Sequence, residues 1–274
     1  VTPTAPGRRE APIWLIAAVA LAAAFGLAIA ASDQYRAIFN AISRGIAVTI
    51  FVTAIAFTCA AALGLALARA GLSRRRWLRE IATFYVEIVR GIPVLVLLFY
   101  MAFVAAPALV WLWNQVAFPI ISLGLIDKAE IRDFELIWRA VVALVISYSA
   151  FLSEIFRAGI QSVDRGQIEA AKSLGMRRLA IFRLIILPQA FRTVLPPLGN
   201  DFVAMIKDSS LVSVLGVQDV TQLGKIYSSG TFLFFETYNI VAYIYLLMTV
   251  SLSLAVRGLE ARLRRHISER DSGS

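Results

Sequence analysis

The chain has 274 residues, of which 59% are hydrophobic and only 16% charged, with a formal net charge of +9 and a mean hydropathy of +0.75. An average soluble protein is roughly 45–50% apolar and about a quarter charged, so a soluble globule could not hide this much apolar side chain, and the chain belongs in a membrane. The basic excess falls in the gaps between apolar runs, where topology explains it better than a nucleic-acid partner. One cysteine (Cys59, inside an apolar run) and one histidine (His266, in the charged tail) exclude an internal disulfide and a zinc site built from Cys and His.

The first apolar run, Ile13–Ala31, follows Arg8 and Arg9 and has to be weighed against a cleaved signal peptide. It is longer than the roughly 7–15 residues of a signal core and suits a span of about 20. It therefore reads as a retained helix, although Ala28-Ile29-Ala30 offers small residues at a cleavage spacing. Further apolar runs follow at Ile46–Ala68, Pro93–Trp113, Arg139–Phe156, Phe191–Gly216 and Tyr238–Val256. Each approaches or exceeds what crosses a hydrocarbon core about 30 Å thick. The expectation is an all-α, polytopic bundle of about six spans: one domain over residues 13–258, between tails at 1–12 and 259–274.

Loop charge orients that bundle. Arg8 and Arg9, Arg69, Arg74, Arg75, Arg76 and Arg79, the basic residues from Arg157 to Arg192, and Arg257, Arg262, Arg264, Arg265 and Arg270 fall on one side. They outnumber Arg36, Arg44, Lys128, Arg132, Arg139 and Lys225 on the other. Lys and Arg accumulate in cytoplasmic loops, so both termini are expected in the cytoplasm. Two loops are too long for simple turns and read as functional: an outer one, Asn114–Trp138, acidic at Asp127, Glu130, Asp133 and Glu135, and an inner one, Arg157–Gln189. Trp111, Trp113 and Trp138 suit an outer interfacial belt. No internal repeat is evident, which disfavours a transporter built from two related halves.

Within the inner loop, Asp164 can cap a helix over Gln167–Leu174, and Gly175 suits the left-handed position that ends it. A second helix is expected from Arg177 to Leu187, stopping at Pro188. Ala170 and Ala171 leave one face of the first helix flat, so another surface could approach its backbone, while Glu169 and Lys172 put charges at its edge. Composition alone leaves an ordinary surface helix as good a reading.

Glu169-Ala170-Ala171, then three residues, Gly175, nine residues and Ile185-x-Leu187-Pro188 match the EAA signature of bacterial ABC importer permeases. The chain resembles the membrane subunits of polar amino-acid ABC importers, the histidine/glutamine/arginine/glutamate permease type, from about Ile46 to Arg257. Gly45-Ile46-Ala47-Val48-Thr49, the stretch from Tyr85 to Pro93, the stretch from Glu154 to Ile160, and Lys207-Asp208-Ser209-Ser210-Leu211 carry the rest of the likeness. The resemblance implies a type I ABC importer permease fold in a bacterial inner membrane. It also implies a coupling helix that docks on a dimer of cytoplasmic ATP-binding subunits, with Asp164, Glu169, Ala170, Ala171, Lys172 and Gly175 at that contact. A second permease subunit, identical or not, and an extracytoplasmic binding protein are implied as well. The sequence contains no G-x-x-x-x-G-K-[ST] phosphate loop, so ATP and Mg are expected on the partner and no cofactor or catalysis on this chain.

An ionisable residue inside a span costs roughly 2.5–3.5 kcal/mol on insertion scales and marks function by default. The fifth run holds Asn200, Asp201, Lys207, Asp208, Ser209 and Ser210. Lys207 with Ser209 and Ser210 could receive an amino-acid carboxylate, and Asp208 or Asp201 the ammonium; the bland alternative is that these charges satisfy each other or a neighbouring helix. Adjacent residues diverge by about 100° on a helix, so Lys207 and Asp208 are poorly placed to pair together. Glu87 and Arg90, before Pro93, could pair at i, i+3 on an interfacial helix, and Glu154 and Arg157 repeat that spacing at the inner end of the fourth run. Both pairs read as gating or structural. The expected function is the permease subunit of an ATP-driven importer of a polar or charged amino acid, with lipid as surroundings and no nucleic acid. An ion-coupled secondary transporter and an ABC permease for another small solute stay open. An intramembrane enzyme lacks a nucleophile–base set or metal ligands.

Overall fold

The structure, a computed structural model, describes residues 13–271. The expected tail 1–12, with Arg8 and Arg9, lies outside the described residues. No strand occurs among the described residues, and the chain is an all-α polytopic bundle. α1 (Ile13–Ala31) has the bounds of the first apolar run and rises about 28 Å. α2 (Asp33–Ser43) starts on Ser32, whose hydroxyl accepts a hydrogen bond from the Tyr35 N–H, and it buries Ile38 and Ile42. The remaining helices are α3 (Gly45–Gly71), α4 (Arg76–Gly91), α5 (Val94–Val116), α6 (Leu136–Gln161), α7 (Arg165–Ser173), α8 (Arg178–Leu215), α9 (Val220–Thr231) and α10 (Phe234–Asp271). Among the described residues, five stretches are long and apolar enough to cross a membrane: Asp33–Gly71, α5, α6, α8 and Phe234–Leu259. They match the second to sixth apolar runs, two of which, Pro93–Trp113 and Phe191–Gly216, extend one residue past the helix.

α6 is the centre of the bundle. Some 61% of its most apolar stretch is buried, against 17–28% for the other four. It packs against a stripe of α3 in which Val52, Ala56, Ala60, Gly64 and Ala68 recur every fourth residue, all buried. The small residues let two backbones close up, which matters where lipid offers no hydrophobic drive for helix association. At Gly64 a Cβ would stand only 3.0 Å from the Ser149 carbonyl oxygen and 3.1 Å from the Leu152 Cβ. Leu98, Met101 and Ala102 of α5 and Met205 and Val212 of α8 complete this core. A second cluster joins Ile29 of α1, Ile38 and Ile42 of α2, Val220 of α9 and Ile240 and Ile244 of α10.

The expected helix stop at Pro188 does not occur. A π-helical turn at Phe182–Ile186 precedes the proline, and α8 runs on through Pro188, Pro196 and Pro197. Proline lacks an N–H and its ring presses on the carbonyl four residues back; the wider turn separates those groups, so the helix continues. α5 uses the same device, with a π-helical turn at Met101–Ala105 two residues before Pro107. α4 packs on α3 and α6; it buries Ala82, Val86 and Val89 and leaves Trp77, Ile81, Phe84 and Ile88 exposed. Its Tyr85 hydroxyl lies 2.9 Å from the Ser149 hydroxyl and 3.1 Å from the Ile146 carbonyl, fixing α4 to the middle of α6.

Candidate functional site

The inner loop folds from its own residues. The Asp164 carboxylate accepts the Gln167 N–H at 3.1 Å and starts α7. At the other end Gly175 takes φ +75°, while the Gly175 and Met176 N–H groups donate to the Lys172 and Ala171 carbonyls. Only glycine adopts that left-handed conformation at little cost. Gln189 of α8 donates to the Gln167 side chain at 2.7 Å, so α7 is tied to the helix that follows it. The two alanines do not share a free face: Ala171 is buried against the chain and Ala170 is exposed, because successive residues turn by about 100°. α7 leaves Glu169, Ala170 and Lys172 exposed, and Leu174, just past its end, is 82% exposed. The reading of the motif missed Leu174, whose signal was an apolar side chain beside a helix-ending glycine in a polar segment.

At the C-terminal end of α6, Arg157 Nε donates to both Glu154 oxygens at 3.1 Å and Nη1 donates to Gln161 at 2.8 Å. The i, i+3 pairing expected there is present. Glu87 and Arg90, by contrast, form no ion pair among the described residues. Arg90 lies 5.6 Å from the ring centre of Phe151, and Glu87 faces a cavity against α6. α4 packs its Val86–Val89 face on α6, which points the guanidinium at an aromatic ring instead of back along its own helix.

In the fifth run the expected residues divide. Asp208 accepts a hydrogen bond from the Tyr148 hydroxyl of α6 at 2.8 Å. Ser209 is fully buried and donates to the Ile206 carbonyl at 2.7 Å, so its hydroxyl is committed to its own helix and cannot join Lys207 in receiving a carboxylate. Ser210 is half-buried, and Lys207 and Asn200 are exposed. Positions seven apart share a helix face. Asp201 and Asp208 therefore make one stripe, and Asn200 and Lys207 make another about 100° away. Tyr148 was missed because a tyrosine in an apolar run reads as core; its hydroxyl still needs a partner when buried.

Residues 60–268 match the family described as binding-protein-dependent transport system inner membrane component. The chain belongs to that family. Its relatives include the probable glutamine ABC transporter permease protein GlnM of Bacillus subtilis, 36% identical over 79% of this chain and 90% of that protein. The glutamine transport system permease protein GlnP of Escherichia coli K12 is 32% identical over 81% of this chain and 92% of its own length. A crystal structure of an amino acid ABC transporter with histidines superposes with a TM-score of 0.67 and 35% identity, covering 84% of this chain and 95% of that one. The MetNI methionine ABC transporter shares the fold alone, at TM-score 0.60 and 16% identity over 84% of this chain and 98% of its own. This is the fold of type I ABC importer permeases, and the family is that of the inner membrane.

On the other side of the permease, the long loop is built rather than slack. Asn114 brackets Ala129 with two hydrogen bonds, at 2.8 and 2.9 Å. Arg139 is buried and donates to the carbonyls of Phe134 at 2.6 Å, Ala102 at 3.3 Å, and Ile131. A buried charge persists only when its donors are used, and here they hold the loop against α5. Asp219 caps α9 through the Gln222 N–H at 2.8 Å and accepts from the Tyr245 hydroxyl of α10 at 3.0 Å. Burial pushes its carboxyl above the ordinary value, against the pull of those hydrogen bonds. Gly45 makes room beneath it: a Cβ there would sit 2.5 Å from the Asp219–Val220 backbone.

Proposed function

We propose that this permease forms half of the translocation path of an ATP-driven importer for a polar amino acid, with both termini in the cytoplasm. Its partners are a second permease subunit, a dimer of ATP-binding subunits that hold ATP and Mg, and an extracytoplasmic binding protein. α7 docks in a groove of the ATP-binding subunit and transmits its closure to α6 and α8. The observation that carries this reading is a short helix, capped at both ends and tied to α8, in a chain of the permease family. The names of the relatives, glutamine permeases among them, favour a polar side chain in the cargo. Asp208, set by Tyr148, with Asp201 meets the cargo's ammonium, and Lys207 with Asn200 and Ser210 meets its carboxylate. Glu154 and Arg157 brace the root of α7. The loops around Asn114–Trp138 and Val217–Thr237 receive the binding protein.

The test is to extract the tagged chain gently from its native membrane and weigh the intact complex. Two nucleotide-binding subunits with two permease subunits are expected, and the count of this chain separates homodimer from heterodimer. A chain that purifies without an ATPase at every detergent strength overturns the reading. In the purified complex, Lys207→Met abolishes substrate-stimulated ATP hydrolysis and leaves assembly intact; wild-type stimulation removes the carboxylate role.

A further inference from the structure

A cavity of about 370 Å³ opens between the inner ends of α3, α4 and α6, within the roughly 300–1,000 Å³ typical of small-molecule sites. The groove between α3, α8 and α10, lined by Phe57, Phe202 and Val256, is apolar. This one carries charge of both signs. α4 contributes Arg79, Thr83 and Glu87, one residue per turn along a single stripe, and α6 contributes Glu154, Arg157 and Gln161. The α6 groups satisfy one another, since Arg157 is spent on Glu154 and Gln161. The α4 groups are not spent. Glu87 makes no ion pair among the described residues, and Arg79 has only a 3.9 Å contact with Glu80. The Arg79 and Glu87 backbones stand about 12 Å apart along the helix, a gap that two long side chains and one small bifunctional solute fill.

We propose that this cavity is a second, cytoplasm-facing site for a free α-amino acid, with the carboxylate on Arg79 and the ammonium on Glu87. The inference rests on the amino-acid importer reading and on its orientation. It is separate from the cluster at Lys207 and Asp208, because neither Tyr148 nor any residue of α8 lines it. Gln161 lines the cavity at the last residue of α6, and α7 begins at Arg165. A bound amino acid therefore lies along α4 beside the root of the loop, where it limits how closely α4 and the end of α6 approach and slows ATP turnover as product accumulates.

The experiment uses the full complex in nanodiscs, open to solution on both faces, with radiolabelled glutamine and arginine in equilibrium binding without the binding protein. Lys207→Met retains binding of at least one of the two. Glu87→Gln in that background weakens it about tenfold or more, the loss of one charge-assisted contact, and Arg79→Gln does the same. Unchanged binding in both double variants overturns the site. Stimulation of the wild-type complex by amino-acid-loaded binding protein is read in parallel. Normal stimulation with unchanged binding removes the cavity site alone. No stimulation, with no binding to any variant, removes the importer reading as well.

Discussion

α7 and the polar end of α8 are both small polar features of an apolar chain, but they are made in opposite ways. α7 is closed by groups within its own sequence neighbourhood, Asp164 at one end and Gly175 at the other. The α8 cluster is completed from a distance, by a tyrosine 60 residues away on α6. A feature built from neighbours keeps its shape while the spans around it move. A feature built across two spans changes whenever those spans slide. The first suits a part that transmits force, the second a part that must open and close.

The largest expected effect breaks the local half of that comparison. Gly175→Val forces a β-branched residue to φ +75°, a strain of about 1–2 kcal/mol, and redirects the chain leaving α7. Uptake is abolished while the spans still assemble, which uptake assays in membrane vesicles and size-exclusion of the complex will read; wild-type uptake would show that the loop angle is not transmitted. Arg139→Met probes long-range construction on the opposite side. It strips donors from three carbonyls, and at about 1.5–3 kcal/mol per charged hydrogen bond, partly repaid by water, thermal melting should fall by several degrees. Proteolysis of 114–138 should rise with it.

Tyr148→Phe removes one hydrogen bond between two spans, worth about 0.6–1.7 kcal/mol in membrane proteins. Combined with Asp208→Asn in a double-mutant cycle on melting temperature, it gives a coupling of that size, and additivity would separate the two residues. The smallest effect concerns pH. Burial raises the Asp219 carboxyl in the folded chain, so folding takes up its proton more readily than the unfolded chain does. That contribution is complete below the ordinary carboxylate value and is lost as pH rises through the raised one. Melting should be slightly higher at pH 4.5 than at pH 7.5, and Asp219→Asn should flatten the difference while keeping the cap.

The spans were legible in the sequence because apolar runs report themselves one residue at a time. α7 was legible for a related reason: a cap, a glycine and their spacing are local. What escaped was whatever depended on a partner. Ala171 could not be seen to be buried without α8 beside it, nor Ser209 to be turned inward, nor Arg90 to sit over Phe151 in place of Glu87. Pro188 misled for a different reason. The rule that proline ends a helix assumes the usual ring of backbone hydrogen bonds, and a π-helical turn just ahead of it removes the clash.

That turn has a bearing on how the loop joins the membrane. A π-helical turn amounts to one residue more than the α-helix needs, so Phe182–Ile186 stores a single spare position between the loop and the membrane half of α8. Removing one residue there would close the turn into plain α-helix and bring the Pro188 ring back against the carbonyl behind it, so the deletion would break the helix between the loop and the membrane half of α8. That one spare position is therefore what lets the loop and a membrane span share a single continuous helix across a proline.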